Sequence, residues 1–362
     1  MVLSLDGSAS LDGPGHGRTA LWAVPVSALA GVARHALDVA GAGLPGWDVV
    51  FLCPPGDLPR ELRAHGAHVI EAPFGPDHGL AASLRSLRRA LAETEPDVLH
   101  AHLSYADIVA ALAKPRGVRL VTTEHGIAAD DLVYHRSSRK ARLMAAVHRS
   151  RFRRVDKAIA VSHATARVMG EKWGARDVVV IPNGVDGPAV PPQRQPGLRV
   201  LSLARLAPEK RLPALVRAFA VVAAEHPSAT LTVAGVGELA PELERTTTDL
   251  GLADRVFFPG FVDPDKAMAD ADVVAMLSVW ENCSYSLLDA AAAGLGVVTS
   301  PAGGHPEILP PRCLADPGRP AQVARALVEQ GLDLAARPGL PAWPDVDEMC
   351  ARTAAVYDEV VA

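Results

Sequence analysis

The stretch that decides the fold is WENCSYSLLDAAAAGLGVVTSPAGGHPE, residues 280–307. It follows an apolar run, 272–279, that predicts a buried parallel strand. Ser286, with Asp289 three residues later, is typical of a helix start, and Gly294 stands where a glycine often ends a helix. A second short apolar run and a Gly-Gly loop follow. The order strand, acid, helix, strand and loop predicts part of a doubly wound parallel sheet.

The start of the helix predicted at 284–294 is a candidate anion site. In open parallel sheets, ligands bind beyond the carboxyl ends of the strands, where the loops carry the chemistry. The first N–H groups of a helix have no partner inside the helix, and they carry a partial positive charge. Phosphate is a common occupant of such a position, so we expect a phosphate-bearing ligand near Ser284 and Ser286.

Two cations precede this stretch at the end of another predicted strand. The strand at 199–204 ends at Arg205, and Lys210 lies five residues further on. Two cations and a helix N-terminus on one sheet edge suit a diphosphate, and they would stabilise it as a leaving group. Asp289 is then placed for ribose hydroxyls and Glu281 for the hydroxyls of an attached sugar. Each residue alone has an ordinary structural explanation, but their joint occurrence favours a nucleotide-sugar site.

The chain as a whole predicts two α/β domains. Its 362 residues exceed what one hydrophobic core usually supports. Strands and helices alternate before and after a proline-rich segment, GPAVPPQRQPG, which reads as a linker. Gly31 lies at the first strand-to-helix turn, where a glycine permits close approach. The expected parts are a flexible tail (1–18), a first Rossmann-like domain (19–186), the linker (187–197), a second Rossmann-like domain (198–342) and a terminal helix packing back toward the first domain (343–362).

Composition excludes several classes of function. The formal net charge of −5 disfavours a general nucleic-acid binder. The four cysteines form no C-x-x-C pair, which indicates neither a disulfide framework nor a zinc site and fits a reducing cytosol. No apolar run approaches the roughly 20 residues that span a bilayer. The first residues lack the features of a signal peptide. We therefore expect a cytoplasmic protein.

Three histidines lie at predicted strand ends. His100 and His102 form a His-x-His pair, and His125 is followed by a glycine. A metal site is one interpretation of the pair, but no carboxylate or cysteine shares the segment, so we expect no metal. For His100 we expect a buried, hydrogen-bonded side chain. For His125 we expect a polar role at the cleft, toward sugar hydroxyls or a phosphate.

The segment 136–154 contains eight arginines or lysines and no acid. Apolar residues interrupt it at near-helical spacing, among them Leu143 and Val147. A basic amphipathic helix can lie on an anionic membrane, which would place the protein peripherally at the inner membrane face. The simpler alternative, which we favour, is a solvated helix that packs these apolar residues inward.

Several motifs resemble one enzyme family. They are the segment 161–186, ARLAPEK (204–210), GVGE (235–238), FPGFV (258–262), ADVVA (271–275), ENCSYSLLDA (281–290) and GVVTSPAGGHPEI (296–308). Together they resemble the family 4 retaining glycosyltransferases of the GT-B fold. The resemblance covers nearly the whole chain and is most specific over 198–308. It implies two Rossmann-like domains facing a cleft, with the nucleotide-diphospho-sugar mainly on the second domain, the acceptor hydroxyl mainly on the first and no metal requirement.

The resemblance also implies roles for individual residues. Arg205 and Lys210 match the residues that bind the diphosphate in that family, and Glu281 matches the acid that contacts the donor sugar. Asp289 matches the acid that binds ribose, and His125 a histidine near the reacting sugar. Main-chain groups of the remaining matched residues would meet the phosphate, the ribose or the base; these residues are Gly31, Val262, Tyr285 and Ser286.

Two positions depart from the family pattern. Asp289 replaces a glutamate and is one methylene shorter, and Ala30 replaces the first glycine of a Gly-Gly pair. The leading hypothesis is therefore a metal-independent retaining glycosyltransferase acting on a glycan, lipid-linked or small-molecule acceptor, with a UDP, GDP, ADP or TDP sugar as donor and no cofactor. The alternative is a non-catalytic GT-B scaffold that binds a nucleotide sugar or glycan. A nicotinamide dehydrogenase is disfavoured because the full glycine fingerprint is missing.

Overall fold

The computed structural model describes residues 17–127, 138–188, 193–340 and 342–362, and the side chains of the basic helix from residue 144 onward. Within them the chain forms two separate sheets, one of seven and one of five strands. Every recorded strand pair is parallel. The predicted pair of doubly wound parallel α/β units is confirmed.

The first sheet has the strand order β3-β2-β1-β4-β5-β6-β7. Its strands are β1 (Arg18–Ala23), β2 (Trp47–Cys53), β3 (His68–Glu71), β4 (Val98–His102), β5 (Arg119–Glu124), β6 (Lys157–Ala160) and β7 (Val178–Val180). Its helices are α1 (Gly31–Ala42), α2 (Asp57–Ala64), α3 (Leu80–Thr94), α4 (Leu103–Ala113), α5 (Ser138–Arg151) and α6 (His163–Trp173). The order reverses between β1 and β4, so the loops after these two strands open the crevice in which such sheets bind ligands.

The second sheet has the order β10-β9-β8-β11-β12. Its strands are β8 (Arg199–Leu203), β9 (Thr230–Ala234), β10 (Val256–Phe257), β11 (Val273–Met276) and β12 (Gly296–Thr299). Its helices are α7 (Leu212–Glu225), α8 (Ala240–Asp249), α9 (Pro264–Ala269), α10 (Tyr285–Ala292), α11 (His305–Ile308) and α12 (Pro320–Leu332). Here the order reverses between β8 and β11. The loops after those strands carry Arg205, Lys210 and Glu281, so the predicted donor residues lie at a switch point.

The last helix, α13 (Val346–Val361), packs on the first sheet although it follows the second in sequence. Its Tyr357 is fully buried, and the Tyr357 hydroxyl accepts a 2.9 Å hydrogen bond from Nε1 of Trp22 on β1. Lys157 of β6 donates a 2.7 Å hydrogen bond to Glu359 of the same helix. The chain therefore crosses back to the first sheet, and an aromatic residue buries its ring there while its polar end keeps a partner.

The basic helix packs differently from the prediction. Val147 is half-buried, as expected of an inward apolar position, but Arg151 is buried as well. Its Nη2 lies 2.5 Å from an Oε1 of Glu124, and its Nη1 lies 2.8 Å from an Oδ2 of Asp107. One of the eight cations is therefore a core residue, while Arg149 and Arg153 remain exposed toward solvent. Residues 128–137, the start of the predicted basic segment among them, lie outside the described residues.

Candidate functional site

Lys210 and Glu281 meet at the carboxyl edge of the second sheet. The Lys210 ammonium contacts the Glu281 carboxylate, and the two side chains are 18% and 16% exposed. The Ser278 hydroxyl donates a 3.0 Å hydrogen bond to the same carboxylate oxygen. The two loops also bond directly, since Val279 donates its N–H to the Glu209 carbonyl at 2.7 Å. The structure thus brings together two residues that are 71 positions apart in sequence.

Arg205 lies on the same loop but is oriented toward solvent. Its side chain is 74% exposed, and its Nη2 lies 2.5 Å from Oε1 of Glu209, four residues further along the loop. An exposed ion pair of this kind adds little stability, so Arg205 is free to exchange Glu209 for an anionic ligand. Of the two predicted diphosphate ligands, Lys210 is held in place by its contact with Glu281, whereas Arg205 is exposed on the same loop.

The helix start differs from the predicted capping pattern. Ser284, not Ser286, is the N-cap residue of α10, and its side chain makes no capping hydrogen bond. The Ser284 hydroxyl lies instead 3.7 Å from Sδ of Met276. The prediction that Ser286 and Asp289 cap the helix was wrong, because the helix begins one residue before Ser286. Without a side-chain cap, the first-turn N–H groups of Tyr285 and Ser286 suit an anionic ligand.

Asp289 lies one turn inside α10 rather than in its first turn, and it faces the first domain. Its Oδ2 is 3.8 Å from Nη1 of Arg34 on α1. The Arg34 guanidinium also lies 5.3 Å from the centre of the Tyr285 ring and bonds to Asp38 at 2.6 Å. Tyr285 approaches α1 as well, since a Cβ added at Gly31 would lie 3.9 Å from its ring. The two helices therefore meet across the cleft through a cation stacked on an aromatic ring.

Burial raises the pKa of Asp289 to about 6, with the Arg34 guanidinium opposing the shift. A carboxyl whose pKa is higher in the folded state than in the unfolded state stabilises the fold at low pH, and this contribution is lost as the pH rises toward 6. Asp289→Asn should therefore raise the free energy of unfolding at pH 7.5 by up to about 3 kcal/mol, as two pKa units imply. Melting temperatures at pH 4.5 and 7.5 test this, because the gain should shrink to about 1 kcal/mol at pH 4.5, closer to the unfolded pKa; a gain of equal size at both pH values would contradict it.

The Gly-Gly loop after β12 packs against the main chain of the site. A Cβ added at Gly303, whose φ is +53°, would lie 1.6 Å from the Glu281 carbonyl oxygen. A Cβ at Gly304 would lie 1.8 Å from the Asn282 carbonyl oxygen, and Gly304 donates its N–H to Glu281 at 3.1 Å. Only glycine fits such an approach. The two glycines thus fix the backbone that carries the Glu281 carboxylate.

The same segment also bonds to the first domain. Glu307 accepts 2.7 Å hydrogen bonds from the N–H groups of His163 and Ala164 at the start of α6. The Ser162 side chain accepts a hydrogen bond from the Thr165 N–H and so caps the same helix. The Thr165 hydroxyl donates to Asn282 at 2.8 Å. One helix start of the first domain is therefore capped by a carboxylate of the second, which holds the two halves of the cleft together.

Three histidines of the first domain lie together on the side of the cleft opposite Lys210 and Glu281, which we call the opposite wall. His125 Nε2 lies 3.0 Å from Nδ1 of His102, and His35 of α1 lies beside both. Burial lowers the pKa of His35 to about 4 and the pKa of His102 and His125 well below its usual value. These rings are therefore neutral at physiological pH. A Cβ added at Gly126 would lie 3.8 Å from Trp280 and from Asn282, so the backbone next to His125 lies beside the donor segment.

His100 behaves as expected of a buried, satisfied side chain. Its Nδ1 lies 2.5 Å from the Tyr357 hydroxyl and its Nε2 lies 2.7 Å from the Thr123 hydroxyl. Both ring nitrogens are used, so His100 has no atom left for a ligand.

Val262, the predicted base contact, is half-buried in the loop after β10 beside Phe261, which is 80% exposed. This loop adjoins the Gly235 turn, since Gly235 donates its N–H to the Gly260 carbonyl at 2.7 Å.

Sequence reasoning missed two residues of the cleft, Arg34 and His35. The sequence did carry an indication of their position. Both residues follow Gly31 within about one helical turn and therefore lie at the same end of α1. Their partners, Asp289 and Tyr285, lie roughly 250 residues away, and no local pattern relates them.

Two family models match most of the chain. The model described as Glycosyltransferase Family 4 matches residues 29–187, and the one described as Glycosyl transferases group 1 matches residues 197–330. Glycogen synthase of Mycobacterium tuberculosis is 29% identical over 320 residues, covering 78% of this chain and 77% of that protein. An uncharacterised glycosyltransferase of Methanocaldococcus jannaschii is 38% identical over 113 residues, covering 30% of this chain and 29% of that protein.

Among solved structures, HepE of Anabaena in complex with UDP and glucose superposes with a TM-score of 0.73. The superposition covers 95% of each chain at 22% sequence identity, so the likeness establishes the fold. Within the described residues, no helix has both the length and the apolar character needed to cross a membrane.

Proposed function

The chain belongs to the family 4 type of glycosyltransferases with the GT-B fold, enzymes that take a sugar from a nucleotide sugar, and we propose that it transfers a hexose to an acceptor hydroxyl with retention and without a metal ion. The contact of Lys210 with Glu281 beside the start of α10 carries this proposal. It places a cation, a carboxylate and uncapped N–H groups together, which are the groups that a diphosphate and its attached sugar require.

The donor diphosphate would lie between Lys210 and the N-terminus of α10. Lys210 is already held in position, so little reorganisation is needed as negative charge develops on the leaving phosphate. Arg205 would leave Glu209 and add a second cation from the exposed side. A fixed cation, a mobile cation and a helix N-terminus together supply the positive charge that a metal ion supplies in other enzymes. This supports metal-independent catalysis.

Glu281 would bind hydroxyls of the donor sugar. Its carboxylate accepts from Lys210 and Ser278, and this arrangement suits hydrogen bonding better than nucleophilic attack. The acceptor hydroxyl would then approach the anomeric carbon from the same side as the leaving group. The departing phosphate would take the hydroxyl proton, so retention needs no covalent sugar–enzyme intermediate. His125 on the opposite wall would contact the reacting sugar, as the family resemblance implies.

Arg34 and Asp289 would complete the ribose subsite. Asp289 is one methylene shorter than the glutamate of the family pattern, yet its Oδ2 already lies 3.8 Å from the Arg34 guanidinium. Ribose bound to Asp289 would therefore also lie near Arg34. The interaction across the cleft supports closure of the two domains around the donor, which excludes water from the reacting bond.

Two measurements on the purified protein test this proposal. A nucleoside-diphosphate screen by thermal shift should identify one base, with UDP tested first because HepE binds UDP. Transfer from the matching donor should then persist in EDTA, and proton NMR of the first-formed product should show the anomeric configuration of the donor. Loss of transfer in EDTA, restored by a divalent cation, would contradict metal independence, and an inverted product would contradict retention.

The alternative, a scaffold that binds the nucleotide sugar without turnover, predicts a different pattern. A thermal shift with a nucleoside diphosphate would still appear, but neither transfer nor slow donor hydrolysis would follow over hours. Because Lys210 and Glu281 are both in place, we expect at least slow hydrolysis of the correct donor.

A further inference from the structure

Three imidazoles converge on the wall of the cleft that faces the donor segment. His35 comes from α1, His102 from the end of β4 and His125 from the residue after β5. One ring nitrogen of each lies within 4.8 Å of the others. The Trp22 ring packs against the cluster, and its centroid lies 5.6 Å from that of His35 and 4.3 Å from that of His102. Three rigid elements thus bring three potential nitrogen ligands close together, as a metal site requires.

The hydrogen bonds of this cluster are incomplete. His102 and His125 share one contact of 3.0 Å, and His35 Nδ1 lies 3.5 Å from the Tyr285 hydroxyl. His102 Nε2 is buried, and it has no hydrogen-bond partner among the described residues. A buried polar atom without a partner is costly, and an unseen ligand is one common reason for such an atom. His100, two residues earlier on the same strand, uses both of its ring nitrogens.

We propose that His35, His102 and His125 form a binding site for Zn²⁺ and that occupancy of this site reversibly inhibits sugar transfer. Three neutral imidazoles with no carboxylate select borderline ions such as Zn²⁺ and Co²⁺ over Mg²⁺ and Ca²⁺. Three protein ligands leave a fourth position for water or for the Tyr285 hydroxyl.

The inhibitory effect rests on the proposed function, whereas metal binding does not. If His125 contacts the reacting sugar, a metal ion bound to its imidazole occupies that contact and holds the ring against His102. The ion would also hold His35 beside Tyr285 and so restrict the start of α10. Catalysis without a metal and inhibition by one are therefore compatible at the same cleft.

Co²⁺ titration of the EDTA-treated full chain tests metal binding without any sugar substrate. We expect the visible absorption bands of four-coordinate Co²⁺ at one equivalent, displaced by Zn²⁺. His125→Gln and His35→Gln should weaken binding at least about 100-fold, since losing even a supporting residue costs 10–100-fold. His68→Gln, on the exposed start of β3, is the matched control and should bind as the parent does. Absent bands, or equal binding by all variants, would overturn the site.

A second arm measures transfer with added Zn²⁺. Zn²⁺ near its dissociation constant should halve the rate of the parent chain and of His68→Gln, and EDTA should restore it. Full activity at saturating Zn²⁺ would overturn the inhibitory role while leaving the binding site in place. A chain that shows no transfer with any donor would contradict the proposed function, and the Co²⁺ bands would still decide the metal site.

Discussion

Replacing Lys210 with alanine is expected to reduce the kcat of transfer about 10²–10³-fold, the usual loss when one preorganised electrostatic donor is removed. Its ammonium contacts Glu281 in a setting only 18% exposed, so solvent screens it little. The charge would act on the leaving diphosphate, where negative charge develops in the transition state. The measurement is the initial rate of nucleoside-diphosphate release at saturating donor and acceptor, followed by chromatography.

The control for this prediction is Lys266→Ala on α9 of the same domain. The Lys266 side chain is 84% exposed and forms an ion pair with Asp263, three residues earlier, so its removal should leave the rate unchanged. Lys210→Ala should also lose most of the thermal shift that a nucleoside diphosphate produces. A folded Lys210→Ala protein that turns over at the parent rate would refute the role assigned to this lysine.

A double variant separates catalysis from folding. Lys210→Ala alone leaves the Glu281 carboxylate half-buried without its cation, which costs stability. Lys210→Ala combined with Glu281→Gln removes that charge, so most of the stability should return while transfer stays at least as slow as in Lys210→Ala. Recovery of transfer together with stability would mean that the pair serves only the fold.

The donor side of the cleft could be predicted because its signals are local in sequence. Arg205 and Lys210 lie in one short loop, and Glu281 directly precedes a helix that reads clearly from its apolar pattern. Parallel strands place their carboxyl ends on one edge, so knowing the elements was enough to bring the loops together. The capping pattern failed because Ser284 and Ser286 both suit a helix start, and the hydrogen bonds of the folded chain decide between them.

Arg34 and His35 on the opposite wall could not be predicted, because their contacts are decided by how the two domains face each other. Arg34 reads as one of many surface cations of an amphipathic helix, and only the arrangement of the domains stacks it on Tyr285. Within the second domain, Gly303 admits the Glu281 carbonyl, a contact that the sequence does not indicate either. A glycine in the sequence can indicate that another backbone packs closely against it, but it does not indicate which one.

Arg151→Met is expected to lower the free energy of unfolding by about 3–5 kcal/mol, the usual cost of removing one partner of a buried ion pair. The Arg151 side chain is 1% exposed, and the carboxylates that it contacts, Asp107 and Glu124, are fully buried. Its guanidinium also lies 4.6 Å from the centre of the Trp173 ring, so lysine would not replace it. Because Glu124 directly precedes His125, the position of His125 in the cleft depends on the Arg151 guanidinium. Urea unfolding followed by circular dichroism measures the loss.

The pH dependence of that loss distinguishes an ion-pair effect from a packing effect. Burial raises the pKa of Asp107 well above its usual value, and Arg151 opposes the rise. Without Arg151 the carboxyl binds a proton more readily in the folded state, so lowering the pH from 7.5 toward 5 should shrink the difference from the parent chain. Arg149→Met, two residues earlier and exposed, should stay within about 0.5 kcal/mol at either pH. An Arg151→Met loss that is equal at both pH values would instead identify lost packing against Trp173 as its cause.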